Sequence, residues 1–141
     1  MTVQNSCFCS LLVSGVFFLH GCFGSSDAFP NSVPVTGTVS IDGKPIATGF
    51  VMFVPETEQA GQLATGRVRD GEFVMQTTVS SPGVVMGKYG IQIESYDETQ
   101  LDKNGAPKNL APKKYQTAKT SGLTADVMKD MEPLRLELTS R

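Results

Sequence analysis

From Val35 onward, apolar and polar residues alternate in short runs broken by turn-forming pairs. Successive side chains of a strand point to opposite faces, so such alternation predicts half-buried strands. In Val35-Thr36-Gly37-Thr38-Val39-Ser40-Ile41, the residues Val35, Val39 and Ile41 share one face. The run Gly49-Phe50-Val51-Met52-Phe53-Val54 is apolar on both faces, which predicts a central strand covered on both sides and stopped by Pro55. A third run, Leu63 to Arg69, leads into Glu72 to Val79, where Phe73, Met75 and Val79 share a face. Lys88 to Glu94 sets Tyr89, Ile91 and Ile93 inward and Lys88, Gln92 and Glu94 outward. Leu123, Ala125 and Val127 alternate with Thr124, Asp126 and Met128, and Leu134, Leu136 and Leu138 alternate with Arg135, Glu137 and Thr139.

Two of the breaks are Asp-Gly pairs, Asp42-Gly43 and Asp70-Gly71. Asp-Gly between alternating runs is a strong hairpin signal, because both turn residues need positive φ and glycine takes it without a Cβ clash. The runs together predict an all-β fold: a seven-stranded antiparallel Greek-key β-sandwich with short connections. One long connection, Tyr96 to Lys114, lacks an apolar period and is expected to cross between sheets or cover an edge. No helix of three turns and no internal repeat is expected.

The N-terminal stretch reads differently. Cys7 to Phe23 is almost wholly apolar or small, and no charged side chain precedes Asp27. The run is shorter than the roughly 20 residues that comfortably span a bilayer. A hydrophobic stretch near Phe8 to Leu19 followed by small residues reads as a secretory signal. Its end, Leu19-His20-Gly21-Cys22, resembles the bacterial lipobox: an aliphatic residue, a variable one, a small one, then the lipidated cysteine. Gly21 provides the small residue before the cut, and the Cys22 thiol provides the acylation site. Two features depart from the pattern: Met1 to Ser6 holds no Lys or Arg, and His20 is an unusual residue before the small one. An ordinary signal cut near Ser25 or Ser26, or an uncleaved anchor, are the alternatives. The expected organisation is a signal peptide over 1–21, a short Gly/Ser/Pro-containing tether over 22–32 and one domain over 33–141. It places the protein in the cell envelope, held to the membrane by its N-terminal lipid and facing the periplasm or the cell exterior. Two or more acyl chains give stable attachment, each buried methylene contributing about 0.8 kcal/mol.

A chain of 141 residues fits one domain. A net charge of −2 gives no general attraction to nucleic acid, whose binding rests on many cations meeting phosphates, so no nucleic-acid partner is expected. All three cysteines, Cys7, Cys9 and Cys22, and the single histidine, His20, precede residue 23. A disulfide framework is thereby excluded for the domain.

The residues Val35-x-Gly37-x-Val39-x-x-Asp42-Gly43-Lys44-Pro45, then Phe53-x-Pro55, resemble the opening of carboxypeptidase regulatory-like domains. Asp70-Gly71-x-Phe73 is similar to their second hairpin, and Gly87-Lys88-Tyr89-x-Ile91-x-Ile93 to their Gly-x-Tyr strand. Pro112-x-Lys114-Tyr115 and Thr120-Ser121-Gly122-Leu123-Thr124 resemble the later segment of a subgroup of small bacterial lipoproteins built on this domain. The resemblance runs from about Val33 to Leu138. It implies a transthyretin-like (prealbumin-like) sandwich that is mostly non-catalytic. Fold does not dictate activity.

Candidate chemistry is sparse. A chain cleaved before Cys22 carries no histidine and one blocked cysteine, which removes Ser-His-Asp and Cys-His catalysis and the usual zinc sites. Some transthyretin-like proteins are purine-pathway hydrolases that depend on histidines and a C-terminal tetrapeptide; this chain ends Leu138-Thr139-Ser140-Arg141. Asp102, Asn104 and Gly105 fit the third, fifth and sixth places of an EF-hand loop, but Gln100 and Ala111 stand at the first and twelfth, so a turn is expected and no metal. Asp97, Glu98 and Asp102 form a carboxylate cluster whose expected role is solvation of a polar loop. Lys103, Lys108, Lys113, Lys114 and Lys119 make the segment locally basic; a solvated loop is expected, the alternative being contact with anionic envelope polymers or headgroups. Tyr96 and Tyr115 flank it; exposed aromatics can stack on sugar rings, but in a sandwich Tyr115 and Tyr89 are expected to pack in the core or at an edge with the hydroxyl at the rim. The expectation is a non-enzymatic envelope module without a cofactor, serving a structural or protein-interaction role. The alternative is a glycan-binding module that uses Tyr96, Tyr115, Lys113 and Lys114.

Overall fold

The computed structural model describes Phe29 and residues 31–57, 61–79 and 81–141, with the side chain of Glu98 left aside. Cys22, the expected signal and most of the expected tether lie outside the described residues. The described chain is all-β and mostly antiparallel. Its strands are β1 (Ser32–Val33), β2 (Thr36–Ile41), β3 (Lys44–Pro45), β4 (Thr48–Pro55), β5 (Ala64–Arg69), β6 (Glu72–Thr78), β7 (Ser81–Pro82), β8 (Val84–Val85), β9 (Gly87–Leu101), β10 (Pro107–Asn109), β11 (Thr124–Val127) and β12 (Leu134–Leu138). A 3-10 turn, Lys113–Gln116, and one short helix, α1 (Ala118–Ser121), stand between β10 and β11. No helix among the described residues is long and apolar enough to cross a membrane.

The main sheet runs β10-β9-β4-β5-β6-β2-β12, with β11 also on β9, β3 on β2 and β7 on β6; β1 and β8 form a separate pair. The long strand β9 carries β11 along its first part, at Gly87 to Gly90, and β10 along its last, at Tyr96 to Leu101. Two expectations are corrected. Among the described residues twelve strand segments are present rather than seven, and β12 lies parallel to β2. Four of the additional segments, β1, β3, β7 and β8, have two residues each, too short for a period of two to show.

Both Asp-Gly pairs make the expected hairpin turns. Asp42 and Gly43 have φ of 48° and 79° between paired Ile41 and Lys44. Asp70 and Gly71 have φ of 50° and 83° between paired Arg69 and Glu72. These are the type I′ signs that match strand twist.

One hydrophobic core joins distant strands of the sheet: Val35, just before β2, Val39 of β2 and Leu136 and Leu138 of β12 meet Phe53, Tyr89, Ile91, Ile93 and Ala125. The sheet therefore curls so that one face encloses this core. Tyr89 is fully buried, and its hydroxyl donates to the Val85 carbonyl at 2.7 Å, which satisfies its polar end. Burial pushes the Tyr89 phenol up.

Val79 departs from expectation. It was placed inward with Phe73 and Met75, yet is 95% exposed. Strand β6 ends at Thr78, and the pairing with β7 shifts register between Gln76 and Thr78, which breaks the alternation one step before Val79.

Candidate functional site

The Tyr96–Lys114 connection is more regular than expected. Strand β9 continues through it to Leu101 and returns as β10, so its first half is a hairpin on the sheet edge. Asp102 shapes the tip: its Oδ1 accepts the N–H groups of Asn104 at 2.8 Å and Ala106 at 3.0 Å. Gly105, at φ 80°, completes the turn. The partial cation-loop pattern thus coincides with a hairpin tip whose carboxylate serves backbone donors.

Asp97 is occupied in a similar way. Its Oδ1 accepts from Thr99 N–H at 2.9 Å and Thr99 Oγ1 at 2.6 Å, and its Oδ2 from Gln100 Nε2 at 3.1 Å. The Thr99 hydroxyl, Thr99 N–H and Gln100 amide hold this carboxyl below its ordinary range. Asp97 and Asp102 are therefore engaged locally rather than turned across a cleft.

Tyr96 occupies the most featured part of the surface. Its hydroxyl donates to Glu94 Oε2 at 2.6 Å, and the Phe50 ring meets it edge-on at 6.5 Å. Donation to a carboxylate favours the protonated phenol, so the Tyr96 pKa is pushed up to about 12. Tyr96 helps line an open groove of about 700 Å³, together with Ile41 to Thr48 without Gly43, Ser95, Asp97 and Leu110. It also lines a groove of about 360 Å³ with Thr48, Phe50, Arg67, Ala106 and Pro107. Asn109 braces the wall: its Oδ1 accepts from Ser95 N–H at 3.1 Å and Ala111 N–H at 3.0 Å.

Tyr115 does not join this surface. The 3-10 turn places its ring in the core at 6% exposure, and its hydroxyl accepts the Thr139 N–H at 3.2 Å. This is the core packing expected of Tyr115, and it corrects the alternative glycan-binding role for this residue: a ring packed against the core offers no face to a sugar. The Thr139 hydroxyl and N–H, then the nearby Lys114, hold its phenol below the ordinary value. Lys114 lies over the ring at 4.8 Å and donates to Thr139 Oγ1 at 3.1 Å and to the Arg141 carbonyl at 2.8 Å. Its role here is to fasten the chain after β12 to the turn. Lys113, Lys103, Lys108 and Lys119 are exposed. Register sets Lys108 opposite Asp97.

Sequence reasoning singled out Tyr96 and missed Phe50, Asp42, Lys44 and Leu110, which frame its grooves. Phe50 carried a signal, since an aromatic on the outer face of a central strand needs a partner there. The polar groove residues come from separate turns and carried none. Comparison with protein-family models, curated proteins and solved structures finds no match for this chain.

Proposed function

We propose that this chain is an envelope lipoprotein, cut before Cys22, acylated on that thiol, and carrying a non-catalytic interaction or structural module outside the cytoplasm. The observation that carries the reading is the sequence Leu19-His20-Gly21-Cys22 at the end of an uncharged apolar run. Two facts about the domain are consistent with it. Every histidine and cysteine of the chain lies at or before residue 22, so the domain holds no nucleophile–imidazole pair. The first described strand begins at Ser32, so ten residues from Cys22 to Asn31 would separate an acylated cysteine from the sheet. Fully extended, such a tether reaches roughly 33–36 Å at most.

The finer fold belongs to the same proposal: a two-layer, Greek-key sandwich of the transthyretin type. In support, β2 is bonded on both sides, to β12 along Gly37 to Ile41 and on its other side first to β6 and then to the short β3, and the core residues of β2 and β12 join those of β4, β9 and β11.

Intact mass of the protein from an exporting bacterial host tests the anchor. The expected species begins at Cys22 and carries the mass of a thioether-linked diacylglycerol. Cys22→Ser should leave the precursor uncleaved and unacylated. A mature-size Cys22→Ser product that still partitions with membranes would overturn the lipid anchor.

A further inference from the structure

Strand β12 ends the strand order, and among the described residues its ladder partner is β2 alone. We infer that the outer edge of β12 is a self-association surface, pairing antiparallel with β12 of a second copy of this chain about a two-fold axis at Leu136.

The backbone phase comes first. The Leu138 carbonyl accepts the Asp42 N–H at 2.8 Å, so Leu138, and by alternation Leu136 and Leu134, turn their backbone groups to β2. Arg135 and Glu137 turn theirs outward, as does Thr139, whose N–H is donated to the Tyr115 hydroxyl at 3.2 Å. The free edge is thus the N–H and C=O groups of Arg135 and Glu137. Leu134 to Leu138 contains no Lys, no Pro and no bulge, and the charges it does carry, Arg135 and Glu137, are of opposite sign.

The side chains then select a partner. Leu134-Arg135-Leu136-Glu137-Leu138 is complementary to its own reverse. In an antiparallel pair centred on Leu136, Arg135 lies opposite the partner's Glu137, and symmetry repeats the match. These are the outward-turned residues, so they fall on the closely bonded positions where facing residues exchange both N–H···O bonds. Arg135 and Glu137 are exposed, so each match also sets opposite charges face to face on the solvent side. The leucines meet on the inner side, which continues the core face across the axis.

Other registers fail. Centring on Arg135 or Glu137 sets like charges opposite each other. A parallel, in-register copy does the same at both positions. A slip of one residue sets Leu136 of each copy opposite Arg135 or Glu137, which puts the core faces of the two copies on opposite sides of the joined sheet. The ladder also ends cleanly: opposite Thr139, whose N–H is already used, would stand the partner's Pro133, which has no N–H.

The test is sedimentation equilibrium of the full chain in density-matched detergent, over a range of concentrations. A monomer–dimer equilibrium is expected, weakening as salt rises. Arg135→Glu alone, or Glu137→Arg alone, sets like charges across both matches and should weaken the dimer roughly tenfold or more. The double reversal, Arg135→Glu with Glu137→Arg, rebuilds the complementarity and should restore it. Both positions are exposed, and a circular-dichroism melt confirms that each variant folds. A chain that stays monomeric at every concentration overturns the inference, whatever else covers the edge. So does a dimer indifferent to both single reversals, or a double reversal that fails to recover association.

Discussion

Phe53→Ala examines the central packing claim. Phe53 is fully buried in the middle of β4, with Ile91 of β9 as its cross-strand neighbour on one side and Ala64 of β5 on the other. Its ring centroid lies 5.7 Å from that of Tyr89, at an interplanar angle of 37°. Truncating a buried phenylalanine costs about 3–5 kcal/mol, because transfer energy and contacts are lost and a cavity remains. The ring pair accounts for about 0.5–1.5 kcal/mol of that. The upper part of the range is expected here. Ala64 is too small to move into the space, and ladders on both sides of β4 hold the backbone in place. A domain stable by about 5–15 kcal/mol would lose a large share of its margin. Urea unfolding followed by circular dichroism reads the effect. With a slope of about 1–3 kcal/mol/M, the midpoint should fall by roughly 1–5 M at unchanged slope. Val74→Ala, at a position 66% exposed on the outer face, serves as control and should stay within about 0.5 kcal/mol. A Phe53→Ala loss below about 1 kcal/mol at unchanged slope would show that this ring does not fill the core.

Two further outcomes follow from the geometry. Tyr96 has its folded pKa raised, to about 12 from an ordinary 10.0, so it contributes stability present below about pH 10 and lost as pH climbs through about 12. Melts across that window should fall less steeply in Tyr96→Phe, and a slope identical to the parent would remove the Glu94 hydrogen bond from consideration. Gly49→Ala should destabilise by about 1–3 kcal/mol, since its new methyl would strike the Glu94 carbonyl oxygen in the neighbouring strand. Ordinary strand propensity gives the opposite sign, a gain of roughly 0.5–1 kcal/mol, so thermal melting separates the two.

What the sequence revealed of the fold follows from where one face of a strand is buried. Tyr89, Ile91 and Ile93 were legible as inward because each is wholly enclosed and each neighbour is not. The same holds for Ala125 and Val127, and for Leu136 and Leu138. The Asp-Gly turns were legible because their chemistry is local. Past Glu94 the signal fades: the Asp97 to Leu101 stretch of β9 pairs with β10 at an edge, both mostly exposed, so no apolar period marks either. Their strand character comes from ladder bonds and from the Asp97 and Asp102 carboxylates that fix the bend. The parallel approach of β12 to β2 is likewise invisible to a pattern of period two, which reports the faces of a strand but not the direction of its neighbour.

The same distinction explains the candidate site. Tyr96 and Tyr115 both flank one polar segment, and core or edge packing is the expectation for Tyr115 alone of the two. Tyr115 sits on a 3-10 turn that folds its ring back onto the core, and the polar residues around it gave no sign of that turn. Tyr96 sits on a strand, where alternation after buried Ile93 and Ser95 turns it outward beside Glu94 and Phe50. The β12 edge reverses the lesson. Its inward leucines were read as core from their spacing, while its outward Arg135 and Glu137 passed as ordinary surface charges. Only the phase of the backbone, fixed by the bond from Asp42 to Leu138, shows that these charges share their residues with the unpaired edge groups. Charge order and backbone phase are independent properties of five residues, and either could have favoured a different register. Their agreement on one antiparallel register is what distinguishes this edge from any other exposed strand.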